Sequence, residues 1–319
     1  MNKKKYLIFG NGFIGGHYAS HLLLKNSDVK VIYRSKPNDS LPLKIQKKSD
    51  NSIDEIVKIL LNFKPDYVLL TQGISFIPNN EKDLENSISS NLIAPLKVIE
   101  AIHLLRKNKK SFTMPQKIVT FGSAAEYGNS NKKIFTESTP LNPTSLYGLN
   151  KKWLYQASHY YFKLGIPCVH IRQFNAVGAG QHPGFAISSF CRQLALMEKG
   201  KQKPVLKVGD LTQKRDFIDI RDSLSAFDII LDKAKDTQVI NVCSGKSYSL
   251  EEIVEKQLRK LTAVDFSVNI EKKLIAETRS PNNIVAGNPI LLKKLGWKAK
   301  YTLSESLKWT LDYWRNQTD

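Results

Sequence analysis

The chain has 319 residues, 41% hydrophobic and 24% charged, enough to bury a large core and to predict an enzyme-sized body of two lobes. Lys and Arg number 48 against 29 Asp and Glu, a formal net charge of +19. The lysines are dispersed as doublets such as Lys47-Lys48, Lys132-Lys133, Lys272-Lys273 and Lys293-Lys294, so the charge reads as a solvated surface that draws in anionic small substrates, and no nucleic-acid partner is expected.

No run approaches the roughly 18 to 20 apolar residues of a membrane span, so no membrane partner is expected. The basic start, Met1-Asn2-Lys3-Lys4-Lys5, leads into a short apolar run broken at Gly10, too short for a signal-peptide core, and a cytoplasmic location is expected. Cys168, Cys191 and Cys243 are widely spaced in apolar surroundings. They are expected to be reduced core residues, with no metal site.

In chain order, Tyr6 to Phe9 predicts a buried strand ending in Gly10-Asn11-Gly12-Phe13-Ile14-Gly15, and apolar positions then recur at helical spacing through Leu24. Strand, glycine-rich turn and helix together set a dinucleotide pyrophosphate on a helix N-terminus, which makes Gly10, Gly12, Phe13, Ile14 and Gly15 cofactor-binding candidates. A second strand, Val29 to Tyr33, ends in Arg34-Ser35. An NAD enzyme is expected to carry Asp or Glu there for the ribose 2′-hydroxyl, whereas a guanidinium grips a 2′-phosphate, so Arg34 and Ser35 predict NADPH over NADH.

Ser52 to Phe63 predicts an amphipathic helix and Tyr67 to Thr71 a strand, and Thr71, Gln72 and Gly73 are counted with the cofactor site. Leu84 to Lys107 is a long helical pattern interrupted only by Pro95, and Ile118 to Phe121 is a further strand, followed by Gly122 and Ser123. A polar loop, Asn129 to Pro143, precedes a helix from Tyr147 to Leu164, and Cys168 to Arg172 is the next strand. Alternation of strands and helices predicts a doubly wound parallel sheet of the Rossmann kind.

Tyr147 and Lys151, four apart on a helix, share one face. A phenol acting near neutral pH needs a shift of about three units from roughly 10, and a cation about 4 Å away supplies on the order of that free energy at an effective dielectric of about 20. Ser123, at the C-terminal end of its strand, faces the crevice where parallel sheets bind ligands.

From Arg172 to Gln181 the chain is too Gly-rich for a regular element and is expected to be a loop. A helix from Ile187 to Glu198, a strand from Val205 to Val208 and the stretch Arg215 to Asp219 follow, then a helix, Arg221 to Asp232, and a strand, Gln238 to Val242. Ser249 with Glu252 and Thr302 with Glu305 predict capping boxes. The terminal helix carries Leu307, Trp309, Leu311 and Trp314, expected to be core. A Rossmann domain of 1–172 and 212–242 is expected, with a smaller α/β substrate-binding lobe of 173–211 and 243–319.

Gly10 to Gly15, Ser123, Tyr147 and Lys151 resemble the extended short-chain dehydrogenase/reductases that act on nucleotide sugars. Phe174-Asn175 with Gly178-x-Gly180-Gln181, Arg215-Asp216-Phe217-x-Asp219 and Asn241-Val242-Cys243-Ser244-Gly245 resemble GDP-4-dehydro-6-deoxy-D-mannose reductases and related 4-ketoreductases. The resemblance implies a Ser123, Tyr147, Lys151 catalytic triad, substrate contacts from Asn175, Arg215 and Arg279, and a homodimer through the two long helices. Two departures stand out: Phe9 replaces a glycine of the family's first turn, and Ser123-Ala124-Ala125 replaces the Thr-Asp-Glu of 4,6-dehydratases. Alanines supply neither the acid nor the base that eliminating water requires. The expected activity is NADPH-dependent reduction of the C4 ketone of a nucleotide-linked 4-keto-6-deoxy sugar, and the alternative is a 4-epimerase with retained NAD.

Overall fold

The computed structural model describes residues 3–75, 80–109, 111–130, 132–236, 238–278 and 284–317. The chain forms two compact units, one of residues 1–127, 141–173 and 227–240, the other of 128–140, 174–226 and 241–319.

The first unit opens with β1 (Lys5–Phe9), α1 (Phe13–Leu24), β2 (Asp28–Tyr33), β3 (Gln46–Lys48), α2 (Ile53–Phe63) and β4 (Tyr67–Leu70). It continues with α3 (Glu81–Ile88), α4 (Ala94–Asn108) and β5 (Lys117–Ser123). Then come β6 (Ile134–Phe135), which belongs to the second unit, and α5 (Leu146–Lys163) and β7 (Cys168–Gln173), which belong to the first. The central sheet has seven strands, closed at one side by β11 (Val239–Val242), and the pairings of β1 with β2 and β4, β2 with β3, β4 with β5 and β5 with β7 are all parallel. Parallel strands are covered on both faces, which is why β1, β4 and β7 read as near-continuous buried runs. Leu7, Phe9, Val68 and Leu70 pack with Ile56 and Leu60 of α2 and Ile99 and Ile102 of α4.

The long helical stretch is broken for a physical reason. Asn80 caps α3 by accepting a hydrogen bond from the Asp83 amide, residues 89–93 widen into a π turn, and Pro95 follows directly in α4, where a residue without an N–H removes one helical hydrogen bond and the widened turn accommodates it. One correction belongs here. Residues 81–108 are long and apolar enough to cross a membrane by length and composition, contrary to the sequence reading, yet Val98, Ile99, Ala101, Ile102 and Leu105 are buried in the core of the first unit.

The second unit carries β8 (Asn175–Val177), α6 (Ala186–Glu198), β9 (Val205–Val208), β10 (Lys214–Asp219), the start of α7 (Ile220–Lys233), β12 (Ser247–Ser249), α8 (Leu250–Glu252), β13 (Ser267–Ile270), α9 (Lys272–Thr278), β14 (Ile284–Gly287), α10 (Ile290–Lys294) and α11 (Leu303–Gln317). Strands β6 and β8 interrupt the two stretches expected to be loops, pairing with β14 and β10; at two or three residues each they are too short for a periodic signature. In α11, Leu307 and Leu311 are buried as expected, Trp314 donates to the Ser188 hydroxyl, and Trp309 stacks on Arg221, 4.2 Å from guanidinium carbon to ring centroid. Thr302 and Glu305 form the full reciprocal cap, and Ser249 accepts from the Glu252 amide.

Candidate functional site

Register between β5 and β7 sets the first part of the site. Thr120 pairs with His170, Gly122 with Arg172 and Ser123 with Gln173, so alternate residues of both strands project to one face. Ser123 ends β5 and caps a single 3-10 turn, Ala124–Glu126: its Oγ accepts from the Ala125 amide at 3.2 Å, and Glu126 Oε1 accepts from the Ser123 amide at 2.9 Å.

Helix α5 supplies the second part. Ser145 caps it by accepting from the Gly148 amide at 3.1 Å. A Cβ on Gly148 would lie 2.4 Å from the Ala125 carbonyl oxygen, so glycine alone lets the helix press onto the turn after β5. That approach sets the Tyr147 phenol beside the Ser123 hydroxyl, close enough for Ser123 to bear on its titration. Lys151, one turn on and only 4% exposed, puts Nζ over the Tyr147 ring, 5.6 Å from its centroid. Ser123, Tyr147 and Lys151 are thus brought together in the first unit.

Their electrostatics depart from the sequence expectation. Burial pushes the Tyr147 phenol up to about 12, with the Ser123 hydroxyl opposing and the Glu126 charge adding to the rise. Burial pushes Lys151 down to about 8, with Glu126 opposing. The net shift of the phenol is therefore upward, the reverse of the lowering that a nearby lysine alone would give. Desolvation disfavours the charged form of both groups, and the ammonium meets the ring face.

The glycine-rich turn is built around steric necessities. Gly10 has φ +106°, and a Cβ there would meet the Gln72 amide nitrogen at 2.7 Å; one on Gly15 would lie 2.0 Å from the Gly10 carbonyl oxygen. Phe9, which stands where the resembled family has glycine, closes β1 as a buried core residue, and the left-handed turn falls on Gly10. Gly12 is the N-cap of α1 and offers no side-chain cap, so the first-turn amides are left for an external anion.

Beside the turn lies a cleft of about 770 Å³, part of it open to solvent, lined by Gly10, Asn11, Gly12, Tyr33, Arg34, Ser35, Lys36, Asn51, Thr71, Gln72 and Gly73 among others. The glycine cradle and the basic rim suit a dinucleotide phosphate, and the buried Gln72 Oε1 has no hydrogen-bond partner. Gly15 packs behind the turn, while Phe13 and Ile14 begin α1. Lys36 and Asn51 were missed by the sequence reading. Lys36 was legible as a second cation two residues after Arg34; Asn51, from the segment preceding α2, was not. The Asn11 side chain donates to the Lys36 carbonyl and the Asn38 side chain to the Asn11 carbonyl, both at 2.8 Å, tying the glycine turn to the basic segment.

In the second unit, Asn175 is exposed and donates to the Asp216 carbonyl at 2.9 Å. Arg215 donates to the Lys214 carbonyl and to the Gln213 side chain. Arg279 lies outside the described residues.

The sequence and the fold are shared with known proteins. The model of the NAD dependent epimerase/dehydratase family matches residues 6–243. The chain is similar to a GDP-6-deoxy-D-mannose reductase of Pseudomonas aeruginosa, 25% identical over 99% of both chains. It is also similar to a UDP-glucose 4-epimerase of Lactobacillus helveticus, 26% identical over 93% of this chain and 92% of that protein. A solved structure of RMD from Pseudomonas aeruginosa complexed with NADPH superposes with a TM-score of 0.81 at 25% identity, covering 98% of this chain and 100% of that one. A UDP-glucose 4-epimerase from Thermotoga maritima, solved with UDP-glucose, shares the fold, with a TM-score of 0.82 at 20% identity over 99% and 100% of the two chains.

Proposed function

Because the chain belongs to the NAD dependent epimerase/dehydratase family, whose members resembling it are NAD(P)-dependent nucleotide-sugar reductases and epimerases, we propose that it is an NADPH-dependent nucleotide-sugar 4-ketoreductase. The observation that carries the choice of reductase is the basic end of β2. Arg34, Ser35 and Lys36 line the cleft where a carboxylate would serve an NAD enzyme, and a cofactor consumed at each turnover is best drawn from the NADPH pool. The full-length likeness to a GDP-6-deoxy-D-mannose reductase supports the same reading.

The residues act as follows. The first-turn amides of α1, opened by Gly12, hold the pyrophosphate, and Arg34 and Lys36 hold the 2′-phosphate. Bound NADPH supplies the hydride. Ser123 holds the ketone oxygen of a 4-keto-6-deoxy sugar, and Tyr147, protonated at neutral pH, donates the proton that turns that oxygen into the product hydroxyl. Lys151 holds the nicotinamide ribose. Asn175, Arg215 and Arg279 contact the nucleotide diphosphate or the sugar.

We further propose a homodimer formed through the two long helical stretches 84–107 and 147–164, where Ile93, Trp153 and Tyr160 are exposed, and a cytoplasmic location; light scattering showing only monomer at micromolar concentration excludes the first. The activity is tested by mixing the protein with NADPH and a panel of nucleotide-linked 4-keto-6-deoxy sugars and following NADPH consumption. Oxidation of NADPH with one member of the panel supports the reductase. NAD that co-purifies with the protein, with interconversion of 4-epimers and no NADPH consumption, replaces it by the epimerase.

A further inference from the structure

Behind Ser123 the first unit buries a set of charges that the reaction as described does not use. Glu126 is 0% exposed, and His170 and Arg172 are 2% and 1% exposed. Its Oε1 accepts from His170 Nε2 at 3.0 Å as well as from the Ser123 amide, and its Oε2 accepts from Arg172 Nε at 2.8 Å. A carboxylate has no proton to give, so Nε2 carries the imidazole hydrogen. In the neutral ring Nδ1 then accepts from the Thr120 hydroxyl, 2.7 Å away. Arg172 also donates to the Tyr127 hydroxyl at 3.1 Å, and its guanidinium carbon lies 4.9 and 5.0 Å from the ring centroids of Tyr127 and Tyr155.

Such a cluster is expensive in an interior, because a buried carboxylate is tolerated only when paired and fully hydrogen-bonded. The neighbouring sequence conforms to it. A Cβ on Gly122 would lie 1.9 Å from Glu126 Oε1 and 2.2 Å from His170 Nε2, although the Gly122 backbone is in no conformation that calls for glycine. The glycine before Ser123 is explained by the room that the Glu126–His170 contact needs.

We propose, resting on the reading that Ser123 and Tyr147 carry the reaction, that Glu126 is the positioning residue of that pair: its carboxylate, locked by His170 and Arg172, fixes the Ser123 peptide and so the position of the Ser123 hydroxyl. Ser123 has one fixed peptide N–H and one rotatable hydroxyl. With the N–H held by Glu126 and the Oγ accepting from Ala125, the position of the Ser123 oxygen beside Tyr147 is fixed. The titratable groups that face Glu126 are His170 and Arg172 from β7, Tyr127 from its own turn, and Tyr147 and Lys151 from α5. Glu126 also supports the Lys151 ammonium against burial.

Two substitutions separate reach from charge. Glu126→Asp keeps the charge and withdraws the acceptor by one methylene, whereas Glu126→Gln keeps the length and removes the charge. The readouts are kcat and KM for NADPH in the ketoreduction, and the titration of Lys151 by carbon-13 NMR of lysine-labelled protein, assigned by loss of the signal in Lys151→Met. Expected for Glu126→Asp is a fall in kcat of about tenfold or more, since misplacement by about 1 Å costs up to about a hundredfold, with KM for NADPH and the Lys151 titration held. Expected for Glu126→Gln is a Lys151 titration moved to lower pH.

Wild-type kcat in Glu126→Asp overturns the proposal. So does a kcat loss in both variants that only tracks the folded fraction by circular dichroism, with Lys151 unmoved. If Glu126→Gln does not fold, the kcat and KM of Glu126→Asp decide. If the unmodified protein reduces no keto sugar, the functional reading has failed. The Lys151 signal, which needs no substrate, still reports whether Glu126 governs the site.

Discussion

Lys151 Nζ stands over the ring of Tyr147, 5.6 Å from its centroid, so the cation meets the electron-rich face of the phenol. With burial dominating, the phenol titrates at about 12 and stays protonated throughout the neutral range. A reductase needs a proton donor at the ketone oxygen, and this arrangement keeps one loaded. Tyr147→Phe is expected to leave the fold and NADPH affinity nearly intact and to lower kcat by about a hundredfold or more. Near-normal turnover in Tyr147→Phe would remove Tyr147 from the role.

Lys151 gives the pH dependence its sign. Its folded pKa, about 8, is below the ordinary 10.5, so between these values the unfolded chain binds more protons and stability rises with pH. Below about pH 8 the whole penalty of a buried ammonium is present, on the order of 3 kcal/mol. Lys151→Met is therefore expected to raise stability at pH 7 by up to about 3 kcal/mol while weakening NADPH binding and turnover, as activity is traded against stability. Urea melts at pH 7 and pH 10.5 check it: the gain should be lost at the higher pH. In the unmodified protein, NADPH affinity is expected to decline as pH rises through about 8.

Much of this was legible in the chain because it rests on local rules. The strand, glycine turn and helix at Tyr6 to Leu24, the four-residue spacing of Tyr147 and Lys151, and the serine ending β5 are patterns of neighbours. The Glu126 cluster was not, because it joins residues far apart in sequence through the register of β5 with β7. Its trace was present, however: His170 and Arg172 alternate with Val169 and Ile171 in a buried strand, which demands a compensating carboxylate. The net shift of Tyr147 was not legible because spacing predicts the partner but not the extent of burial, and desolvation is the larger cause.

The two turn glycines should fail differently. Around Gly12 nothing lies within 4 Å of an added Cβ, whereas Gly15 would drive one to 2.0 Å from the Gly10 carbonyl and 2.5 Å from Thr71 Oγ1. Gly12→Ala is expected to keep stability within about 0.5 kcal/mol but to weaken NADPH binding by at least about tenfold, because its methyl occupies the approach of the pyrophosphate. Gly15→Ala is expected to lose about 1 to 3 kcal/mol or more of stability through overpacking. Thermal melts with and without NADPH separate the two. Equal melting losses would show that Gly12 is structural.

Cofactor choice rests on the segment after β2. Arg34, Ser35 and Lys36 are exposed along the cleft, and the Asn11 to Lys36 and Asn38 to Asn11 hydrogen bonds hold that segment against the glycine turn, so the backbone that carries the cations is set before any ligand arrives. A charge-assisted contact contributes roughly 1.5 to 3 kcal/mol, and 1.4 kcal/mol is a factor of about ten. NADPH is therefore expected to exceed NADH in kcat/KM by about tenfold to a hundredfold. Arg34→Ala should remove most of that ratio, and Lys36→Ala a smaller part, because the lysine grips without the bidentate fork of the guanidinium. Since both side chains face solvent, salt screens them, and the ratio should contract between low and high ionic strength. Asn38→Ala, which touches neither cation, tests this setting of the backbone: it should shrink the preference while leaving its dependence on salt in place. Equal kcat/KM for the two cofactors in the unmodified protein would contradict the assignment, and Arg34 would then be an ordinary surface arginine.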